Sequence, residues 1–322
     1  MINENILIIG LGSIGERYVR NLIYLGVKNI YVLRRKISKN SKPRTFDIKK
    51  INVIHNLTKE NIHLFKYIII ANPTSMHKKY IEKFSKIDVK ILCEIPILKD
   101  TFLPKDIYNI LIKKNKSFIA GFNFRFHPAL KYIKKIIDSK KYGKVLYSRF
   151  IFGEKISNIH NWENFKNRYE VRKSLGGGVL RTSCHEIDMA YYLFGNIKKC
   201  TAIKKNLLFK IDCEDFININ LEHQNKVISN ITLDFLSPKY TRNSMIVFEN
   251  MSLFWDFKKN TIKLSNGKNE KTKKILFDFN QTYIEQTKYF LKPNKKNTNA
   301  SHFKDSYNIQ KIIEKIDFAV TN

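Results

Sequence analysis

The chain has 322 residues, of which 43% are hydrophobic and 27% are charged. This composition is typical of a globular protein, and the length exceeds the usual size of one core, so we expect two domains. The formal charge of +31 is compatible with a nucleic-acid-binding protein, but only 11 of the 59 basic residues are Arg. The Lys residues are spread along the whole chain without the interleaved aromatics of a single-strand binding surface. Composition therefore disfavours a nucleic-acid binder, and no apolar run approaches the roughly 20 residues of a membrane helix.

The four cysteines show no paired spacing: Cys93, Cys184, Cys200 and Cys213. We expect reduced thiols and, because no signal-peptide pattern is visible, a cytoplasmic protein. No HxxxH, CxxC or carboxylate cluster points to a metal, so no metal site is predicted.

The first motif is a glycine-rich turn that follows an apolar run. Ile6–Ile9 predicts a strand buried on both faces, and an amphipathic helical pattern begins directly after Gly10, Gly12 and Gly15. In a dinucleotide fold these glycines serve the tight turn, the approach of the backbone to a pyrophosphate, and close helix–strand packing. Position and context favour dinucleotide binding over a purely structural turn, with the phosphates on the helix N-terminus.

The end of the second predicted strand, Asn29–Leu33, bears on the choice of cofactor. An acid here would bind the ribose of NAD, whereas an Arg accommodates the 2′-phosphate of NADP. No acid lies between Leu33 and Phe46, and Arg34 and Arg35 follow the strand. The pattern favours NADP over NAD; the alternative is two ordinary basic residues of a basic chain.

Apolar strands alternate with helical patterns up to about residue 121. This alternation predicts a doubly wound parallel α/β sheet, a Rossmann fold, over residues 1–121. A ligand should lie at the carboxyl ends of its strands, where Asn72–His77 and Cys93–Pro96 fall. The candidate cofactor-binding residues are Gly10, Gly12, Ser13, Ile14, Gly15, Arg34, Arg35, Asn72, Pro73, Thr74, His77, Glu94, Ile95 and Pro96.

Residues 122–322 have a different character and predict an α+β domain with a large, mostly antiparallel open sheet. A helix is expected from the glycines at 176–178 through Phe194, and two helices, Gln281–Leu291 and Phe303–Phe318, close the chain. Because an open sheet with exposed apolar strands usually finds a partner, we expect a homo-oligomer.

Five motifs in order resemble the Gfo/Idh/MocA oxidoreductases. They are GLGSIGERY from Gly10, ANPTSMH from Ala71, CEIP from Cys93, GFNFRFHPAL from Gly121 and RKSLGGGVLRTSCHEID from Arg172. Among the members of this family, the motifs most resemble those of enzymes in surface-glycan and nonulosonic-sugar pathways. The resemblance implies a Rossmann domain, an open-sheet domain, and NAD(P)-dependent oxidation or reduction of a sugar or nucleotide-sugar hydroxyl.

The family's catalytic pattern is a Lys in E-K-P, with an Asp and a His near the start of the glycine-rich helix. His185 matches the His, but Ile95 stands at the Lys position, and Thr182 or Arg181 at the Asp position. His185 is thus the candidate acid–base group. The alternative is a catalytically inactive dinucleotide-binding scaffold or sensor. The candidate substrate contacts, including an arginine clamp for an anionic sugar, are Arg125, Trp162, Arg168, Tyr169, Arg172, Arg181 and Thr182.

Overall fold

The computed structural model describes residues 3–34, 48–159, 164–293 and 299–318. These form two compact units. The first comprises the residues up to Asn123 together with Asn280–Tyr307, and the second comprises Phe124–Phe279 together with the residues from Asn308 onward. The sequence pattern predicted one domain over residues 122–322, whereas in the structure residues 280–307 group with the N-terminal residues.

The first unit is built on a six-stranded parallel sheet, as the alternating pattern predicted. Its order is β3-β2-β1-β4-β5-β6, and every adjacent pair runs parallel. The central strand is almost completely buried, because helices cover both faces of such a sheet. The strands are β1 (Asn5–Ile9), β2 (Ile30–Leu33), β3 (Asn52–Ile54), β4 (Phe65–Ile70), β5 (Lys90–Cys93) and β6 (Phe118–Ala120).

Three helices connect these strands: α1 (Ser13–Tyr24), α2 (His77–Ser85) and α3 (Lys105–Lys113). The strand order reverses direction on either side of β1, between β2 and β4. Open α/β sheets bind ligands at such a switch point, outside the carboxyl ends of the strands. Here the glycine loop after β1 and the segment after β4 meet.

The second unit is built on an eight-stranded sheet of order β14-β13-β12-β11-β7-β10-β9-β8. All neighbours are antiparallel except β7 and β10. The sheet is therefore mostly antiparallel, as predicted. Its strands are β7 (Val145–Gly153), β8 (Ile197–Lys205), β9 (Phe216–His223), β10 (Ile228–Asp234), β11 (Thr241–Phe248), β12 (Ser252–Asp256), β13 (Thr261–Ser265) and β14 (Glu270–Lys274).

Helices α4 (Pro128–Ser139), α5 (Val179–Thr182) and α6 (His185–Phe194) belong to this unit, and α6 packs on β7 and β10. The prediction of one continuous helix up to Phe194 is wrong, because the helix breaks at Ser183 and Cys184. The Thr182 hydroxyl donates to the Gly178 carbonyl, 2.8 Å away, and such back-bonding competes with helix continuation. The break makes His185 the first residue of a new helix.

The closing helices are α7 (Asn280–Leu291) and α8 (Phe303–Phe318). Helix α7 packs on the first unit: the rings of Tyr283 and Phe290 lie edge-on to Tyr18 and Tyr67, with centroids 6.1 and 5.4 Å apart. These buried contacts explain why this segment groups with the N-terminal sheet. None of the helices that the structure describes is long and apolar enough to cross a membrane.

Candidate cofactor and substrate sites

The glycine loop of the first unit has the geometry of a closely packed turn. Gly10 has φ of +95°, and a Cβ there would lie 2.9 Å from the Ala71 carbonyl oxygen. A Cβ at Gly15 would collide with the Gly10 carbonyl. Both positions therefore require glycine for reasons internal to the fold.

Gly12 is different, because its φ of −81° suits any residue and a Cβ there would meet nothing within 4 Å. Gly12 and Ser13 are exposed, and Ile14 is half-buried, at the open N-terminus of α1. A side chain at Gly12 would fill the space in front of these backbone N–H groups. Nothing within the fold requires a glycine there, so the open space fits a phosphate-bearing ligand.

The segment after β4 supplies a second polar group at this place. Both amide atoms of Asn72 are buried without a hydrogen-bond partner among the described residues. The Asn72 Cβ lies 3.0 Å from where a Cβ of Gly10 would stand, so the amide lies beside the glycine loop. A buried amide without partners is costly unless a ligand satisfies it, so Asn72 fits a dinucleotide contact.

His77 joins two of the predicted cofactor segments. Its Nδ1 lies 3.0 Å from the Pro96 carbonyl oxygen, and its Nε2 lies 2.7 Å from that of Asn72. The ring is buried, and burial lowers its pKa. His77 therefore fixes the loops after β4 and β5 to each other; Pro73 and the buried Thr74 lie in the first of them.

Glu94 follows β5 and lies half-buried between two side chains of the first unit. The Tyr18 hydroxyl donates to its Oε1 over 2.6 Å, and Tyr18 also contacts Gln286 of α7. Burial raises the pKa of Glu94 to about 7, against the lowering effect of the Tyr18 hydrogen bond. Gly121 is required beside it, because a Cβ there would lie 2.7 Å from Oε2. The next residue, Ile95, is half-buried and offers no polar group.

Arg34 lies directly after β2. Its backbone N–H donates to Ile54, and its carbonyl lies 2.9 Å from Nδ1 of His55, which fixes this strand end. Arg35, the other predicted cofactor residue here, lies outside the described residues.

In the second unit, His185 lies half-buried among aromatic rings at the start of α6. The ring centroid of Phe124 is 4.7 Å away, and Phe257 and Phe279 pack on Phe124 at 5.3 and 5.4 Å. Burial, and secondly the charge of Arg242, lower the pKa of His185 to about 3. The imidazole is therefore uncharged at neutral pH.

Three of the arginines predicted to contact the substrate already carry carboxylate partners. Arg125 donates two hydrogen bonds to Oδ1 of Asp188, at 2.7 and 2.9 Å, and both residues are fully buried. Arg168 is buried and pairs with Glu170 at 3.0 Å. Arg181 pairs with Asp317 at 2.5 Å. The carboxylate partners largely neutralise the charges of these arginines, so they are poorly suited to bind an anionic ligand.

The remaining predicted contacts are divided. Arg172 is exposed and makes no ion pair within the described part of the chain, and Tyr169 beside it is 38% exposed. Thr182 uses its hydroxyl on Gly178. Trp162 lies outside the described residues. No group of three or more His, Cys, Asp or Glu side chains in the described ranges could hold a metal ion.

The family follows from two matches that together cover most of the chain. The NAD-binding Rossmann fold of the GFO/IDH/MocA oxidoreductase family matches residues 4–122. The GFO/IDH/MocA C-terminal domain matches residues 130–252. The chain belongs to the Gfo/Idh/MocA family.

Several sequence relatives within the Gfo/Idh/MocA family are sugar-converting enzymes. D-apiose dehydrogenase of Rhizobium rhizogenes is 22% identical over 63% of this chain and 56% of its own length. Levoglucosan dehydrogenase of Pseudarthrobacter phenanthrenivorans is 28% identical over 42% and 34%. The 2,7-anhydro-N-acetylneuraminate hydratase of Escherichia coli is 27% identical over 44% and 37%. The chain thus spans between about a third and just over half of the length of these relatives.

Among solved Gfo/Idh/MocA structures, levoglucosan dehydrogenase in complex with NADH has a TM-score of 0.81 at 17% identity. The match covers 99% of this chain and 97% of that one. The complex of the same enzyme with NADH and L-sorbose also has a TM-score of 0.81, at 16% identity. At such identity the likeness establishes the fold, including the open-sheet domain.

Sequence analysis of this Gfo/Idh/MocA member missed several residues around His185. Phe257 and Phe279 lie far from it in sequence, and Arg242 reads as one more basic residue on a strand. Their relevance comes only from the tertiary structure, since β11 and the segments after β12 and β14 bring them to the start of α6. Tyr18 gave a weak signal, because it falls within the motif after Gly15.

Proposed function

We propose that this protein is a nicotinamide-dinucleotide-dependent dehydrogenase that oxidises a hydroxyl-bearing carbon of a sugar. The observation that carries the proposal is the open space at Gly12, beside the unpartnered amide of Asn72, in a member of an oxidoreductase family. When bound, the dinucleotide supplies the hydride acceptor. The N–H groups at the start of α1 would bind its pyrophosphate, and the Asn72 amide would contact it next to Gly10.

His185 is the proposed proton acceptor. When the carbinol carbon loses its hydrogen as a hydride with the bonding electron pair, the hydroxyl proton moves to the imidazole, and a carbonyl remains. A pKa of about 3 keeps the imidazole in its acceptor form at neutral pH. The same low pKa makes His185 a weak base, so its proton must pass on to solvent.

We propose an uncharged part of the sugar as the group that lies beside His185. Arg168 and Arg181, two of the three arginines expected to bind an anion, are neutralised by carboxylates of the same unit, as is Arg125. Half-buried rings such as Phe257 and Phe279 suit the C–H face of a sugar ring. The names of two relatives, with apiose and levoglucosan, agree with a neutral sugar, whereas a third is named for an anhydro-neuraminate, which carries a carboxylate. Arg172 remains the residue for a peripheral anionic substituent.

We also propose NADP as the preferred cofactor, on the strength of Arg34 at the end of β2. Fluorescence titration with NADPH and NADH tests this preference directly. Tighter binding of NADPH in the wild type, and equal binding in Arg34→Gln, is the expected pattern. Equal binding in the wild type would overturn the preference and leave the dehydrogenase standing.

The experiment for the reaction is a screen of neutral sugars and their anhydro forms for reduction of NADP or NAD. The matched variant is His185→Gln, which keeps size and hydrogen bonding but cannot accept the proton. We expect His185→Gln to bind the dinucleotide normally and to lose on the order of 10²–10⁴ in kcat. A variant with full turnover would remove His185 from the mechanism.

Ile95 and Thr182 favour a second candidate, a dinucleotide-binding protein without turnover. By the resemblance, Ile95 stands at the Lys position of the catalytic pattern and Thr182 or Arg181 at its Asp position, and the Thr182 hydroxyl is bonded to the Gly178 carbonyl. The double variant Ile95→Lys/Thr182→Asp separates the candidates. Turnover that appears only in this variant would support the inactive protein, whereas wild-type turnover supports the dehydrogenase.

A further inference from the structure

Arg242 of β11 lies at the centre of the ring cluster in the second unit. Its guanidinium carbon is 4.7 Å from the ring centroid of Phe124 and 4.4 Å from that of Phe152. Its Nε donates to Oε1 of Glu186 over 2.7 Å, and its Nη2 lies 3.3 Å from Oε2. The Glu186 side chain is completely buried and that of Arg242 is 11% exposed. This arrangement uses the planar fork on Glu186 and the packing of the guanidinium against aromatic rings, which Lys cannot reproduce.

The two groups that Arg242 holds both adjoin His185. Glu186 is the next residue in the first turn of α6, and the Phe124 ring lies 4.7 Å from the imidazole. Arg242 therefore reaches His185 along two routes, through the backbone of α6 and through a packed ring. The other titratable groups beside the guanidinium are Tyr240, which hydrogen-bonds to it, and Glu154.

We propose that Arg242 is a positioning residue for His185: it anchors the first turn of α6 through Glu186 and holds the Phe124 ring against the imidazole. The role of His185 as proton acceptor rests on the proposed function. The placement of the Phe124 ring by Arg242 does not depend on the proposed function, so this placement can be tested in a protein without turnover. The charge of Arg242 also keeps the imidazole in its neutral form, in addition to burial.

The test is NMR of the protein with ring-labelled histidine, with the His185 signals assigned by their loss in His185→Gln. In the wild type, whose His185 pKa lies at about 3, we expect the imidazole to stay largely neutral down to pH 4 and to show the ring-current shift of a nearby Phe. In Arg242→Met/Glu186→Gln, which leaves no buried carboxylate unpaired, we expect the titration midpoint to rise by about one pH unit or more, so that about half or more of the imidazole is charged at pH 4. The ring-current shift should diminish.

Arg242→Lys separates charge from geometry. It should keep His185 neutral, because the positive charge remains, but lose the fork on Glu186 and therefore the ring-current shift. Where turnover exists, its kcat should fall with little change in KM for the dinucleotide. This variant also keeps the proposal testable if the double variant fails to fold.

Arg168→Met/Glu170→Gln is the matched control, because Arg168 and Glu170 form another buried pair of the same unit that adjoins neither Phe124 nor His185 in sequence. It should leave the His185 titration and its ring-current shift unchanged. His185 signals that stay unchanged in both Arg242 variants would overturn the proposal. Changed signals in a protein without turnover would refute the dehydrogenase and leave the positioning role intact.

Discussion

The Tyr18 hydroxyl donates a 2.6 Å hydrogen bond to Glu94, which lies 76 residues further along the chain at the end of β5. Tyr18 is fully buried on α1, and burial raises the pKa of Glu94 to about 7 despite this bond. Glu94, which accepts this bond, thus joins the glycine-loop helix to the loop that carries Ile95.

This pair predicts a pH-dependent stability. The folded pKa of Glu94 is raised, so the folded protein binds a proton that the unfolded chain releases above about pH 4.5. We expect the free energy of unfolding to fall by on the order of 2–3 kcal/mol as pH rises from 4.5 past 7. Denaturant unfolding of the wild type and of Glu94→Gln measures this. The Gln variant should lack that share of the decline, and identical pH dependence in the two proteins would contradict the raised pKa.

Gly12 and Gly15 should respond in opposite ways to the same substitution. Gly12→Ser fills open space at an N-cap position that Ser favours, so stability should change by less than about 0.5 kcal/mol. Dinucleotide affinity should fall at least about tenfold, because the side chain occupies the phosphate space.

Gly15→Ser places its Cβ against the Gly10 carbonyl and should cost about 1–3 kcal/mol of stability. Thermal unfolding and NADPH titration of both variants check the pair. A Gly12→Ser variant that binds dinucleotide as tightly as the wild type would contradict the proposed phosphate site at Gly12.

Arg181 should contribute to stability rather than to the binding of an anionic substrate. Burial alone would raise the pKa of Asp317, but the charge of Arg181, together with Lys204, holds it below its ordinary value. The stabilisation is therefore present above about pH 4 and is lost as pH falls through the folded pKa.

We expect Arg181→Gln to reduce the free energy of unfolding by about 1 kcal/mol at neutral pH, with a difference that shrinks in acid. KM for the sugar should not change. A large rise in KM with unchanged stability would instead restore the anion clamp of the sequence analysis.

Phe257 should matter for the sugar and not for the dinucleotide. Phe257→Leu keeps apolar volume but removes the ring face, so KM for a neutral sugar should rise about three- to tenfold, equivalent to about 0.5–1.5 kcal/mol. Binding of NADPH by the variant serves as the internal control. An unchanged KM would place the sugar elsewhere on the second unit.

The sequence by itself determined the first unit almost completely. A parallel sheet buried on both faces needs continuous apolar strands, and a dinucleotide turn needs glycines at fixed spacing, so both signals are local. The same holds for the presence of an antiparallel second sheet, whose strands alternate. The prediction of one continuous helix after the glycines was wrong, because hydrophobic periodicity does not reveal local interactions such as the bond from the Thr182 hydroxyl to the Gly178 carbonyl.

Only the tertiary structure decided which charges are available. In the sequence, nothing distinguishes a paired arginine such as Arg125 or Arg181 from a free one. The partner of Arg125, Asp188, lies 63 residues away, and the partner of Arg181, Asp317, lies 136 residues away. The aromatic surroundings of His185 likewise come from segments far from it in sequence, around Phe124, Phe257 and Phe279. Ion pairing and burial depend on which segments the fold brings together, and sequence spacing does not encode such long-range contacts.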